Sequence, residues 1–399
     1  MNVRVDRGTN VTDEEQVIAL TDELLRDYAD GPRQDFYGAQ FDMGLAFVHF
    51  PVGNGGLGLS PKLQLVINRR ITDAGVPLVR GSIGHGMGAP TIVVHGTEEQ
   101  KQRFLRPLFT NDEVWCQLFS EPGAGSDVAS LATTAVRDGD EWIVNGQKVW
   151  TSLAHFAKWG LLFARTDPNV AKHKGLTYFA IDMQQPGVEV RPLRQITGQA
   201  EFNEVFFTDA RVPDANRLGD VGQGWNVALT TLMNERVSIG GSVPPRGSGV
   251  IAQALDIWQR RGREDPVQRD QLARLWIEAE VGRLTNWRAA QLRSIGTPGP
   301  EGSVGKLWGA ELNQRVYAFC MNLLGAEGML FPEPNGYQLD RTKMMEYTTV
   351  HAWFLRSRAN SIEGGTSEVM RNILGERVLG LPGEPRVDKD LAFRDLLRN

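Results

Sequence analysis

A chain of 399 residues exceeds what one hydrophobic core usually organises, so about two or three domains are expected. Its net charge of -5, with both signs interspersed, gives no reason to expect a nucleic acid or an anionic membrane as partner. Two cysteines, Cys116 and Cys320, are too few for a disulfide framework or a thiolate metal site. With no signal-type apolar core near Met1 and no run of about 18 apolar residues, a cytoplasmic protein without a membrane span is expected.

The first 30 residues are charged, with one helical pattern around Val17-Ile18-Ala19-Leu20 and Leu24-Leu25. The glycine-rich run Val52-Gly53-Asn54-Gly55-Gly56-Leu57-Gly58-Leu59 reads as a loop. A helix is expected from Ser60-Pro61, with Pro at the first helical position and Leu63, Val66, Ile67 and Ile71 as its apolar face. Another follows His95-Gly96, where Thr97 caps and Gln100, three positions on, completes a capping-box pattern. An all-α domain is therefore expected over 1–113.

From Val114 the texture changes. Short apolar runs at 160–164, 177–181, 188–190 and 204–207 are separated by Gly, Pro, Asp and Asn, which argues a small antiparallel barrel or sandwich over 114–221. Within it, Phe119-Ser120-Glu121-Pro122-Gly123-Ala124-Gly125-Ser126-Asp127 is forced into a loop by Pro122, Gly123 and Gly125. Its small residues let a flat ligand approach backbone N–H groups, and Ser120 and Ser126 add hydroxyl donors. Trp142-Ile143-Val144 then alternates with polar neighbours and meets Asn145-Gly146, a hairpin-turn signal. Trp150, Thr151 and Ser152 are expected on a strand beside the loop. By composition alone, an ordinary hairpin with a glycine-rich turn is the default reading.

After Gly222-Gln223-Gly224 the pattern is helical over roughly 224–245, 249–262, 267–293, 302–324, 342–359 and 366–379. A C-terminal helical domain over 222–399 completes an α+β chain in the order α, β, α. The helix 224–245 sets Ala228, Leu232, Glu235 and Ile239 on one face, a carboxylate in an apolar stripe. Desolvation there should raise its pKa, which suits proton abstraction; the alternative is an ion pair with Arg236 or a distant arginine. His85, His95, His155, His173 and His351 show no metal-ligand spacing, and Trp276, Trp287, Trp308 and Trp353 read as helix packing.

The loop and the Trp150-Thr151-Ser152 segment, at this spacing, resemble the flavin-binding signature of the acyl-CoA dehydrogenase family, and the resemblance extends over nearly the whole chain. It implies FAD lying between the barrel and a C-terminal four-helix bundle. Phe119 and Ser120 would meet the isoalloxazine pyrimidine edge, and Trp150 and Ser152 its N5 side. Gln117, Gly125 and Ser126 would complete that part of the site. Thr366 and Glu368 would meet the adenosine half, and Gly325 the flavin of a neighbouring subunit. The resemblance also implies an acyl-CoA substrate, α,β-dehydrogenation to the 2-enoyl-CoA with hydride passing to N5, and an electron-transfer flavoprotein as acceptor. A homo-oligomer, dimer or tetramer, is implied as well.

In most members of that family the base immediately precedes a Gly-Thr pair near the C-terminus. Here Ser361-Ile362-Glu363-Gly364-Gly365-Thr366-Ser367-Glu368 puts Gly364 at that position, where its N–H is expected to polarise the thioester carbonyl. Other members carry the base on an inner helix before an Arg, which Met233-Asn234-Glu235-Arg236 matches, so Glu235 is the expected base. Arg236, Ser126 and Gly365 are expected on the substrate. Glu363 is the competitor, with a structural role the more expected one. Two departures stand out. Leu324-Gly325-Ala326-Glu327-Gly328 replaces a Gly-Gly-Asn-Gly turn, and the Arg260–Arg269 stretch replaces an Arg-x-x-Phe-Gly segment. The rival readings are a flavin oxidase or monooxygenase acting on a non-CoA substrate, and an inactive subunit of a hetero-oligomeric dehydrogenase.

Overall fold

In a computed structural model of the chain, the described residues are 12–240, 243–261, 265–294, 301–331, 347–385 and 388–396. Two threonines start the first and last long N-terminal helices, α1 (Asp13–Tyr28) and α5 (Glu98–Phe109). Thr12 and Thr97 each sit at the N-cap of a complete capping box, the second with Gln100 as read from the sequence. Between them lie α2 (Arg33–Asp42), α3 (Leu63–Asp73), a π-helical turn (Gly84–Gly88) and α4 (Ala89–His95). Pro61 does not open α3. Ser60 and Pro61 accept from Leu63 and Gln64 in a preceding turn, and the helix begins at Leu63. Val17, Leu24, Phe36, Ile67 and Ile71 form the core of α1–α3.

The strands are β1 (Trp115–Leu118), β2 (Thr134–Asp138), β3 (Glu141–Ser152), β4 (Trp159–Arg165), β5 (Leu176–Asp182), β6 (Val188–Pro192), β7 (Phe202–Pro213) and β8 (Arg217–Leu218). They make one sheet in the order β6-β7-β3-β2-β4-β5-β8, with β1 paired to β4. Pairing is antiparallel except for β1 with β4 and a single β2–β4 pair. The two-residue side-chain period divides β1, β4 and β5 between two cores. Trp115, Leu161, Phe163 and Tyr178 face Phe104, Leu105 and Ile92 of the N-terminal helices. Cys116, Leu162, Phe179 and Ile181 face Trp142, Val144, Val205 and Phe207 of β3 and β7.

Asn145-Gly146 is not the hairpin turn. The chain reverses between β2 and β3 at Gly139-Asp140, and Asn145-Gly146 lies inside β3 at a shift in its register with β7. The Asn145 amide donates to the Asp209 carboxylate at 3.0 Å and its carbonyl accepts from the Asp209 N–H at 2.9 Å. That pairing holds the dipeptide in a bulge of an interior strand.

Helices return with α6 (Gly224–Gly240), α7 (Val250–Arg261), α8 (Pro266–Ser294), α9 (Glu301–Leu324), α10 (Val350–Arg356) and α11 (Ser367–Ile373), the last continued by a π-helical turn at Leu374–Val378. Of the helix expected over 342–359, residues 342–346 lie outside the described residues. Ile251, Ile257, Leu272, Leu275, Leu312, Val316 and Phe319 form a core shared by α7, α8 and α9. The remaining long helix, α6, sends Val227 and Ala228 into the core of the sheet instead. Among the described residues, no helix is long and apolar enough to cross a membrane.

Residues 388–396 run back to the sheet. Phe393, 4% exposed, lies under the Arg165 guanidinium at 3.4 Å, its N–H donates to Val170 O at 2.9 Å, and Ala392 bridges Ala171. Lys172 donates both to Asp388 at 2.6 Å and to Asp127, at the end of the glycine-rich loop, at 2.7 Å.

The start of α6 abuts β5 so closely that a Cβ on Gly224 would lie 2.7 Å from the Thr177 backbone. Gly224→Ala is therefore expected to lower stability by about 1–3 kcal/mol in urea denaturation. Gly123→Ala, where a Cβ meets nothing within 4 Å, is expected to change it by less than about 0.5 kcal/mol.

Candidate functional site

The loop between β1 and β2 is shaped from beneath by charge. Glu121 and Ala124 exchange backbone hydrogen bonds at 3.0 and 3.1 Å, which makes a tight turn of the Pro122-Gly123 segment. The Glu121 side chain, 8% exposed, accepts from the N–H groups of Ala132 at 2.6 Å and Thr133 at 2.9 Å. Lys148 of β3, fully buried, donates to Glu121 at 2.8 Å and to the Phe119 carbonyl at 2.9 Å. Burial alone would raise the Glu121 carboxyl. The Lys148 charge and the hydrogen bonds from Lys148, Thr133 and Ala132 outweigh it and hold the group below the usual carboxylate range. For Lys148 the balance differs: burial pulls the ammonium down and Glu121 restores only part of the loss.

This pair presses the loop onto β3, as the Val149 N–H to Ser120 O bond at 2.9 Å confirms. Trp150, Thr151 and Ser152 thus lie on the strand beside the loop. Trp150 has φ 61 and is 58% exposed, a left-handed backbone for a bulky residue at a break in the β3–β7 register. Its ring stands edge-on to Phe202 at 6.0 Å. Phe119, by contrast, has its ring in the core, 5.5 Å from Phe163 and 5.8 Å from Tyr178, and its carbonyl turned to buried Lys148. Gln117, Ser120 and Ser152 are half-buried, and Gly125 and Ser126 are exposed.

The inner helix is fixed by hydroxyls. Buried Thr231 meets Thr91 of α4 at 2.9 Å and the Tyr178 hydroxyl of β5 at 3.0 Å, while His95 meets Thr230 at 2.8 Å. Ala228, Thr231 and Glu235 lie at i, i+3 and i+7, one face of α6. The first two are fully buried and Glu235 is half-buried. Glu235 acts electrostatically on Lys306 of α9, a residue that sequence reasoning did not single out. The side chains of Arg236 and Ile239 lie outside the described residues, so the Arg236 ion pair is left there too.

The C-terminal turn carries the other acid. Both oxygens of Glu363 are engaged, by Arg356 at 3.1 and 2.6 Å and by the Asn360 amide at 2.8 Å. Gly364 and Gly365 have φ 62 and 95, which favours glycine at both, and a Cβ on Gly365 would come 2.6 Å from Met370. Thr366 caps α11, accepting from Val369 N–H at 3.1 Å, and Glu368 is exposed beside Arg371. Gly325, φ 62, opens a 3-10 turn in which Glu327 is paired with Arg261. The two departures from the family pattern therefore meet each other: one charge of the arginine-rich stretch balances the added carboxylate.

The arrangement fits a flat cofactor with an anionic half. The buried hydroxyls of Thr151 and Ser367 have no hydrogen-bond partner. Neither packing nor a left-handed backbone requires Gly123 or Gly125 to be glycine, so their smallness leaves the loop face open to a ligand. Among the described residues no group of His, Cys, Asp and Glu could hold a metal ion.

Comparison with known proteins agrees. Family models described as the acyl-CoA dehydrogenase N-terminal, middle and C-terminal domains match residues 14–112, 116–210 and 222–379. The acyl-CoA dehydrogenase IpdE1 of Mycobacterium tuberculosis is 38% identical over 349 residues, covering 86% of each chain. FadE34 of the same organism is 42% identical over 343 residues, 86% of this chain; the chain spans only 45% of its length. A solved structure titled Tcur3481-Tcur3483 steroid ACAD is 28% identical and superposes with a TM-score of 0.70 over 95% of this chain and all of that one.

Removing one partner of a buried ion pair leaves the other charge uncompensated, so Lys148→Met is expected to lower stability by about 3–5 kcal/mol. The pH dependence carries the sign. Because Glu121 is held below its unfolded value, its contribution is present above about pH 4.3 and is lost as pH falls through the folded value. Denaturation across pH 3–6 should show a shallower acid loss in Lys148→Met than in the parent protein.

Proposed function

The chain belongs to the acyl-CoA dehydrogenase family, and on that footing we propose that Glu235 is the base that removes the α-proton of its substrate. Membership makes the protein an FAD-dependent oxidoreductase that dehydrogenates an acyl-CoA. When bound, FAD supplies hydride-accepting chemistry at N5, which no protein side chain offers.

The observation that carries the assignment is the contrast between two carboxylates. Glu363 is held at both oxygens, accepting three hydrogen bonds from Arg356 and Asn360. Glu235 is half-buried on the face of α6 that continues Ala228 and Thr231, on a helix whose position three hydroxyl contacts fix. A carboxylate so placed is held at one spot for proton transfer, a role worth about 10²–10⁴-fold in rate. The Gly364 N–H, in a turn that Lys306 holds through the Gly365 carbonyl, meets the negative charge that develops on the thioester oxygen. Arg236, Gly365 and Ser126 complete the grip on the acyl-CoA.

For the cofactor, Phe119 and Ser120, with Gln117, Gly125 and Ser126, take the isoalloxazine pyrimidine edge. Trp150 and Ser152 flank the N5 side; Thr366 and Glu368 receive the adenosine half, and Gly325 serves a neighbouring subunit. The same reading carries the division at 113/114 and 221/222, closure of the sheet as a barrel, and α6–α9 as a four-helix bundle. One sheet wrapped about the core of Cys116, Trp142 and Val205 supports the barrel, and the common core of α7–α9, with α6 packed on α9, supports the bundle. It also carries electron-transfer flavoprotein as acceptor and a homodimer or homotetramer as the assembly. Two buried, unpaired thiols agree with a cytoplasmic setting. A steroid-derived acyl-CoA is the substrate class to test first, because the similar solved structure bears that description.

Anaerobic mixing with a panel of butyryl-, octanoyl- and palmitoyl-CoA and cholanoyl-CoA, followed by flavin absorbance, tests the reading. Glu235→Gln is expected to slow bleaching by about 10²–10⁴-fold. Glu363→Gln is expected to bleach at close to the parent rate while melting earlier. The reverse pattern would move the base to Glu363, and bleaching by no thioester would favour the non-CoA oxidase.

A further inference from the structure

Residues 388–396 make their contacts on the two cations that hold the outgoing half of the glycine-rich loop. That half ends in a 3-10 turn, Val128–Ser130, where the Arg165 guanidinium donates to the carbonyls of Ala129 at 2.7 Å and Leu131 at 3.1 Å. Asp127 closes the turn, accepting from the Ser130 hydroxyl at 2.6 Å and from Lys172 at 2.7 Å. Gly125 and Ser126 lie between this anchor and the Glu121–Ala124 turn. Among the described residues no hydrogen bond reaches either of them, so their place is set by what holds Ala124 and Asp127.

The returning segment reaches both cations. The Phe393 ring lies 3.4 Å from the Arg165 guanidinium, and Asp388 accepts from Lys172 at 2.6 Å. It also lays down the stretch of chain that carries Lys172. The N–H of Phe393 donates to Val170 O at 2.9 Å, the N–H of Arg394 to Pro168 O at 3.0 Å, and the Arg394 side chain to Asn169 at 2.8 Å. Arg165 donates to the Lys172 carbonyl at 3.2 Å, which ties the two cations together. A lysine with Asp127 as its one tether would keep much of its rotamer freedom; the second tether at Asp388 removes it. Resting on the reading of this loop as the face that takes FAD, we propose that residues 388–396 are a positioning strap for the cofactor. The strap fixes Arg165 and Lys172, and through Asp127 it holds Gly125 and Ser126 where the flavin meets the loop. It touches no ligand. It acts by ordering the loop beforehand, so that less freedom is lost when FAD binds.

The test uses the FAD-loaded full chain carrying Asp388→Asn, Phe393→Leu, Lys172→Met or Lys172→Arg. Gly224→Ala serves as a variant destabilised elsewhere, and Gly125→Val as one that fills the loop face. FAD release on dilution is followed by flavin fluorescence, dissociation constants by titration with FAD, and stability by melting temperature. Asp388→Asn, Phe393→Leu and Lys172→Met are each expected to raise the dissociation constant about tenfold, mainly through faster release. Lys172→Arg, which keeps the cation, is expected to stay within about twofold of the parent. Adding Asp388→Asn to Lys172→Met is expected to change little more, because both act through one contact. Effects that multiply instead would show that strap and lysine act separately, and would overturn the proposal. It is also overturned, with the loop reading intact, if the strap variants melt early yet keep FAD as the parent does, or if Gly224→Ala releases FAD as fast as they do. If Phe393→Leu does not fold, Asp388→Asn against Lys172→Arg decides the same question. Gly125→Val, where a Cβ meets nothing within 4 Å, is expected to abolish tight binding. Should it hold FAD like the parent, the loop is not the cofactor's face and both readings fall.

Discussion

A single buried ion pair sets the geometry from which the site is built. Lys148 and Glu121 lie out of water, and each is useful only while the other is there. Between them they take up the Phe119 carbonyl and the N–H groups of Ala132 and Thr133, so one charge contact gathers the two ends of the glycine-rich loop and the strand beneath it. The loop's outer face is left with small residues and open main chain. The break in the β3–β7 register lies just beyond Lys148, where Trp150 takes a left-handed backbone and turns its ring outward. A chain that had to hold a flat ligand against backbone atoms would need both features, and the buried pair supplies a rigid floor for each.

The half proposed to hold the base is arranged by different means. Neutral hydroxyls, Thr91, Thr230, Thr231 and Tyr178, dock α6 on the helices and the sheet, so charge is kept off that interface until Glu235. The C-terminal turn uses the opposite strategy, with Arg356 and Lys306 gripping it from two sides. A flexible acid at Glu363 and a mobile glycine pair would blur the distance between the proposed base, Glu235, and the Gly364 N–H. The cations remove both freedoms, in keeping with the sensitivity of catalysis to small displacements.

Much of this was legible in the residues. The Thr97–Gln100 capping box marked the start of α5, and the change from helical to short alternating runs marked where strands begin. The spacing of Ala228 and Glu235 placed the acid on the inward face of α6. Set against the family resemblance, Gly364 before Gly365-Thr366 is what turned the proposal of a base to Glu235. What failed or stayed hidden has a common cause. Asn145-Gly146 looks like a turn locally, but Asp209, some sixty residues away, converts it into a bulge. Lys306 is one lysine on a long helix of little amphipathic contrast, and no local pattern says that its partners are carbonyls in a turn over fifty residues on. Glu121 and Lys148 were not singled out as a pair, because nothing in their local sequence says that the fold brings them together out of water.

The segment around Phe393 bears on how the molecule comes into being. Lys172 joins Asp127 to Asp388, a contact spanning 216 residues, and Phe393 covers the guanidinium that holds the carbonyls of Ala129 and Leu131. During synthesis from the N-terminus, the sheet emerges long before its own seal. Until the ribosome has passed residue 393, Arg165 faces solvent on one side and Asp127 shares Lys172 with nothing. The glycine-rich loop therefore gains this contact only after residues 388–393 have been made, and cofactor capture during synthesis would have to wait for that closure.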